Sequence, residues 1–104
     1  MDFSEIDDTL CCLFSGHLDG NYCSEIEDEL MRLVADFKNN REDARLVFDL
    51  SEVKYISSPF LRLCLIQCKN FGKDRFSVTN VSEEILQVFH FSSLIEIMNI
   101  SLSQ

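Results

Sequence analysis

Apolar runs of strand length alternate along this chain with segments of helical period, and that alternation leaves few folds open. Thr9 to Phe14 (T-L-C-C-L-F) and Arg45 to Leu50 (R-L-V-F-D-L) are continuous β-prone runs of the kind buried strands show. Arg75 to Thr79 reads as another. A shorter run, Phe3 to Ile6, precedes the first across Asp7-Asp8, which is hairpin spacing. Between the runs, Ile26, Leu30, Leu33, Val34 and Phe37 share one face of a helix that Asn39-Asn40 closes. Ser24 with Glu27 matches a capping box, and Asn21 is an alternative start one turn earlier. Ser57-Ser58-Pro59 opens a second helix, because proline suits the first helical position after a serine cap. Its inner stripe reads as Leu61, Cys64, Leu65 and Cys68, and Phe71-Gly72 ends it. Ser82 caps a third helix running to about Phe89, with Glu83 and Glu84 well placed for the helix dipole. Leu94 to Leu102 stays open between a short helix and an edge strand.

The order β-β-α-β-α-β-α predicts an α/β fold: one domain over residues 1–104 with a mixed central sheet, an N-terminal hairpin and about four helices. Leu46, Phe48, Ile56, Leu61 and Leu65 are the expected core. There is no repeat, linker or low-complexity stretch. A hydrophobic fraction of 46% is ample for one packed core.

Charge narrows the partners. Acids number 18 against 9 bases, for a net charge of −9. Residues 1–36 hold ten of the acids and only Arg32 to oppose them, so the remainder of the chain is neutral. Such a balance argues against nucleic acid and anionic membranes, and it fits either a solvated face or a surface that steers a basic partner. No apolar stretch is long enough for a membrane span, and the N-terminus is too acidic for a signal peptide. The cysteines are Cys11, Cys12, Cys23, Cys64 and Cys68, an odd set with no Cys-x-x-Cys pair. They read as free, buried thiols of a cytoplasmic protein, with no metal site.

The residues point to binding rather than catalysis. No nucleophile elbow, phosphate-binding glycine loop or metal-ligand spacing occurs, and His17 and His90 stand alone. No catalytic residue and no cofactor is predicted. Asp49, at the end of a predicted buried strand, is the best-placed single carboxylate, because such sheets meet ligands at their strand C-terminal ends. The segment leaving that edge delivers Ser57 and Ser58 to a helix start.

Leu46 to Arg62 (L-V-F-D-L-S-E-V-K-Y-I-S-S-P-F-L-R) resembles the core signature of STAS domains, the family of bacterial anti-sigma factor antagonists and of the cytoplasmic domains of sulfate transporters. Gly16-His17-Leu18-Asp19 is similar to the family's G-x-L-D. Asn80-Val81-Ser82 through Leu94 is similar to its N-x-S segment and the turn that follows, here Ser92-Ser93-Leu94. The resemblance covers nearly the whole chain in order. It implies a non-catalytic, protein-binding module of signal transduction and transcription regulation. Such a module docks on an anti-sigma factor or serine kinase-like partner through the loop after Asp49 and the start of the second helix. Asp19, Ser57, Ser58, Pro59, Phe60 and Arg62 are the residues implied for partner binding. The alternative is a subunit of a larger assembly, such as a lipid-transport ABC complex or a stressosome-like scaffold.

One departure bears directly on regulation. Aligned on Leu61-Arg62, the serine that family members phosphorylate falls on Pro59, and the following glycine falls on Phe60. Ser58 and Ser57 are the hydroxyls left nearby as acceptors, and Ser58 serves only if a kinase accepts a one-residue shift and a following proline. A helix start would stabilise a phosphate there. With Phe60 read as a surface anchor, the exposed helix start becomes the expected docking point.

Overall fold

The structure is a computed structural model, and it describes residues 1–103. The elements are β1 (Asp2–Ile6), β2 (Thr9–Leu18), α1 (Gly20–Lys38), β3 (Arg45–Ile56), α2 (Ser58–Phe71), β4 (Phe76–Val81), α3 (Glu83–Phe91), a 3₁₀ turn (Leu94–Glu96) and β5 (Asn99–Leu102). The tail that read two ways thus contains both a short helical turn and an edge strand. The sheet runs β1-β2-β3-β4-β5, with β1 antiparallel to β2 and every other pair parallel. Asp7, with φ at 55°, supplies the left-handed residue of the two-residue hairpin turn.

Parallel strands in sequence order, joined by right-handed crossovers, put all the helices on one face of the sheet. Burial alternates accordingly. Leu10, Cys12, Phe14, Leu46, Phe48, Phe76 and Val78 point under the helices and are buried. Cys11, Leu13, Val47, Asp49, Ser77 and Thr79 lie on the open face and are half-buried. The core centres on four rings, with Phe14 4.9 Å from Phe48 and 5.2 Å from Phe60, and Phe48 5.1 Å from Phe76. Edge-on pairs of this kind add to the area they bury.

Leu46, Phe48 and Ile56 are buried as expected, whereas Leu61 and Leu65 are half-buried. The inner stripe of α2 is Phe60, Leu63, Cys64, Gln67, Cys68 and Phe71. Both stripes have helical period, and the Phe60 ring decides between them by filling the space beside Phe14 and Phe48. Gln67 tolerates burial because its amide bonds Met31 Sδ and accepts from Asn70.

Two boundaries also move. α1 starts at Gly20 with Asp19 as its cap, so Ser24 and Glu27 sit inside the helix and form no capping box. β3 continues to Ile56, six residues past the expected end at Leu50, doubling the strand to 12 residues. Against β2, it spends three steps (Asp49 to Glu52) on two (Leu13 to Ser15), and two (Val53 to Tyr55) on one (Gly16 to His17). These bulges explain why Leu50, Val53 and Ile56 all face inward at a spacing of three.

Candidate functional site at two helix starts

β2 and β3 end side by side, Leu18 against Ile56, and each turns through one residue into a helix. The starts of α1 and α2 therefore meet at one end of the sheet. Asp19 and Ser57 occupy equivalent cap positions, both with extended backbone. Asp19 Oδ1 accepts from the Tyr22 backbone N–H at 2.9 Å. Ser57 caps nothing with its side chain; its hydroxyl donates to the Leu18 carbonyl at 2.6 Å. That bond ties the end of β2 to the start of α2.

Between the two starts lies a cleft of about 150 Å³, lined by Gly20, Cys23, Ser24, Glu27, Pro59, Arg62 and Leu63. The helices come close here: a Cβ added at Gly20 would stand 3.9 Å from Pro59 Cγ. The Arg62 guanidinium bonds the Glu27 carboxylate at 2.9 Å, bridging α2 to α1 across one wall. Both side chains are partly exposed, so the pair fixes geometry more than it adds stability.

Of the six residues implied for partner binding, Asp19, Ser57, Ser58, Pro59 and Arg62 come together at this end, and Ser58 is exposed. Phe60 does not present a surface. It is 0% exposed and packs on Phe14 and Phe48, because the third helical position of α2 faces the sheet. The expected loop after Asp49 is likewise absent, since β3 continues to Ile56 and the whole turn into α2 is Ser57. Asp49 stays on the open face, 2.9 Å from the Ser51 backbone N–H that it accepts.

Gly20, Cys23, Ser24, Glu27 and Leu63 line the cleft and escape a reading of the sequence. Their signal is the spacing: 20, 23, 24 and 27 share one face of α1, as 59, 62 and 63 share one face of α2. That signal becomes legible only once both helix starts are fixed.

Four of the five thiols are held toward their protonated form. Burial pushes Cys64 well above its ordinary value, and burial, helped by Cys11, takes Cys12 up to about 12. Burial also raises Cys23 and Cys11, with the Asp49 charge adding to the latter. His17 lies inside β2 with its ring 6.1 Å from that of Tyr55, and His90 sits near the exposed end of α3 beside Phe91. Among the described residues, no His, Cys, Asp and Glu side chains gather into a metal-binding group. No helix among the described residues is long and apolar enough to cross a membrane.

No family model matches this chain, and no curated protein does. Solved structures do. A Thermotoga maritima protein described as an anti-sigma factor antagonist superposes with a TM-score of 0.79 at 16% identity, over 96% of this chain and 84% of that one. An anti-sigma factor antagonist (STAS) domain protein of Planctomyces limnophilus gives 0.73 at 15% identity, over 99% and 90%. The fold is the STAS fold. At this identity the likeness speaks for architecture alone.

Proposed function

We propose that this chain is a non-catalytic regulatory module that binds a protein partner in the manner of an anti-sigma factor antagonist, through the end where α1 and α2 begin. The observation that carries the reading is the convergence there of two helix starts around a small cleft, with Ser58 exposed next in sequence to the lining Pro59. Such a site offers shape and hydrogen-bond donors, but no nucleophile paired with a base. The five cysteines are free, which suits a reducing cytoplasm.

Phosphate control through the usual position has no chemical basis in this chain. Pro59 carries no hydroxyl, and the Ser57 hydroxyl is committed to the Leu18 carbonyl. Ser58 alone presents a free hydroxyl on a helix start that would welcome a phosphate. This favours a partner held without a phosphoswitch, as in a subunit of a larger assembly, over one released by a serine kinase.

Affinity capture with wild type and with an Arg62→Glu variant tests the reading. A partner retained by the first and lost by the second supports docking at this end. The same partner retained by both moves the interface elsewhere. Incubation of the complex with ATP, followed by intact mass, then separates the two modes: release with one added phosphoryl group on Ser58 restores the switch.

A further inference from the structure

We propose that the outer edge of β1 (Asp2–Ile6) is a docking site for an extended, basic segment of a partner protein, which adds to the sheet as a sixth strand. This surface is separate from the α1–α2 end and does not depend on its role.

The starting point is an open edge. β1 pairs with β2 on one side only, and all five of its residues are exposed. The two-residue turn makes Ile6 and Thr9 the first bonded pair of the ladder. Phe3 and Glu5 therefore turn their backbone N–H and C=O groups outward. Proteins commonly blunt such an edge with proline, lysine or a bulge. The segment D-F-S-E-I contains neither residue, and its register with β2 is unbroken. It instead exposes two large apolar side chains, Phe3 at 53% and Ile6 at 71%. Phe3 and Ile6, three apart, lie on opposite faces of the strand, so an added strand would meet one apolar side chain on each face of a regular edge.

Charge selects the occupant. The hairpin carries Asp2, Glu5, Asp7 and Asp8 and no base. Arg41 reaches Glu5 at 3.8 Å, and among the described residues the other three acids form no ion pair. A second copy of this chain would set these acids against themselves. A segment alternating lysine or arginine with apolar residues meets them favourably. On the open face beside β1, a groove of about 330 Å³ is lined by Asp2, Phe3, Ser4, Cys11, Leu13 and Asp49. A lysine leaning in over β1 would lay its stem on Leu13 and its ammonium beside Asp2. The opposite edge, β5, has four residues and no charge, and it lacks this selectivity.

The test uses an alternating lysine–valine peptide of about eight residues, the length of an ordinary strand, and a glutamate–valine counterpart. Amide NMR of the full chain should show the basic peptide perturbing residues 2–6 and slowing exchange at the Phe3 and Glu5 amides, with the acidic peptide silent. Glu5→Pro removes an outward N–H that edge strands can spare, and should weaken the peptide by about tenfold or more while the melting transition stays in place. Should proline disturb the hairpin, the Asp2→Lys, Glu5→Lys double variant replaces it, with binding transferred to the acidic peptide. Several results would overturn the proposal: no binding, perturbation centred on α1 or on β5, unchanged affinity in these variants, or self-association of the free chain through β1. Binding at β1 that survives Arg62→Glu keeps this inference distinct from the docking proposed for the helix starts.

Discussion

α1 and α2 begin with the same plan and use it differently. Each leaves a strand through one extended cap residue, Asp19 or Ser57, and each places an aromatic three positions on, Tyr22 or Phe60. At α1 the cap side chain satisfies a helix N–H, and the aromatic stays half-buried. At α2 the cap side chain reaches back to the preceding strand, and the aromatic is sealed into the core. The α1 start is therefore a local structure, held by its own turn. The α2 start is a tertiary one, held from below by rings and from the side by β2. The second arrangement ties Ser58 and Pro59 to the core on one side and to β2 on the other.

The largest effect should come from removing what only α2 has. Phe60→Ala empties a site bounded by Phe14 and Phe48 and is expected to cost about 3–5 kcal/mol in chemical denaturation. Leu61→Ala, at a half-buried position, should cost less than half of that. Equal losses would return Leu61 to the core and undo the assignment of the α2 stripe.

Much of this fold was legible from patterning, and the failures share one cause. Thr9–Phe14, the Asp7-Asp8 turn, Ser82 as a cap and the order of elements follow from local chemistry. The face of α2 does not, because Phe60 and Leu61 each start a stripe of the same period and only the sheet below chooses. The length of β3 does not either, since its bulges replace the alternation that marks a strand with a spacing of three. At the site, Asp19, Ser57, Ser58, Pro59 and Arg62 stand out in the sequence one by one, and it is the parallel pairing of β2 with β3 that brings them to one end. The partners from α1, Glu27 above all, come from a helix distant in sequence. Long-range packing decided each of these.

Exchanging the caps sharpens the comparison at a smaller scale. Asp19→Ser replaces one good capping oxygen by another and should change stability by less than about 0.5 kcal/mol. Ser57→Asp removes the hydroxyl proton that reaches the Leu18 carbonyl, because a carboxylate cannot donate. That substitution should cost about 1–3 kcal/mol, although aspartate is a good cap in general. Two neutral swaps would show that the starts are equivalent after all.

Tyr22 offers a change of opposite sign. Its hydroxyl oxygen is buried without a hydrogen-bond partner, whereas the matching ring of α2 has no polar atom to satisfy. Tyr22→Phe should therefore leave the thermal midpoint unchanged or raise it, by an amount equivalent to about 1 kcal/mol. A clear loss would mean that the hydroxyl has found a water or a partner in solution.

The smallest expected effect on the fold carries the most about function. Ser58 is exposed at the first position of α2. Ser58→Asp adds a negative charge to the positive end of a helix, worth about 0.3–1 kcal/mol of stabilisation at low salt. Melting should shift upward slightly and lose that shift as salt is added. With the fold unharmed, any fall in capture of a partner reports directly on the surface around Pro59. Capture that is unaffected by Ser58→Asp but lost with Arg62→Glu would draw the interface along the cleft toward Glu27 and away from the rim. Loss with both would centre it on the α2 start.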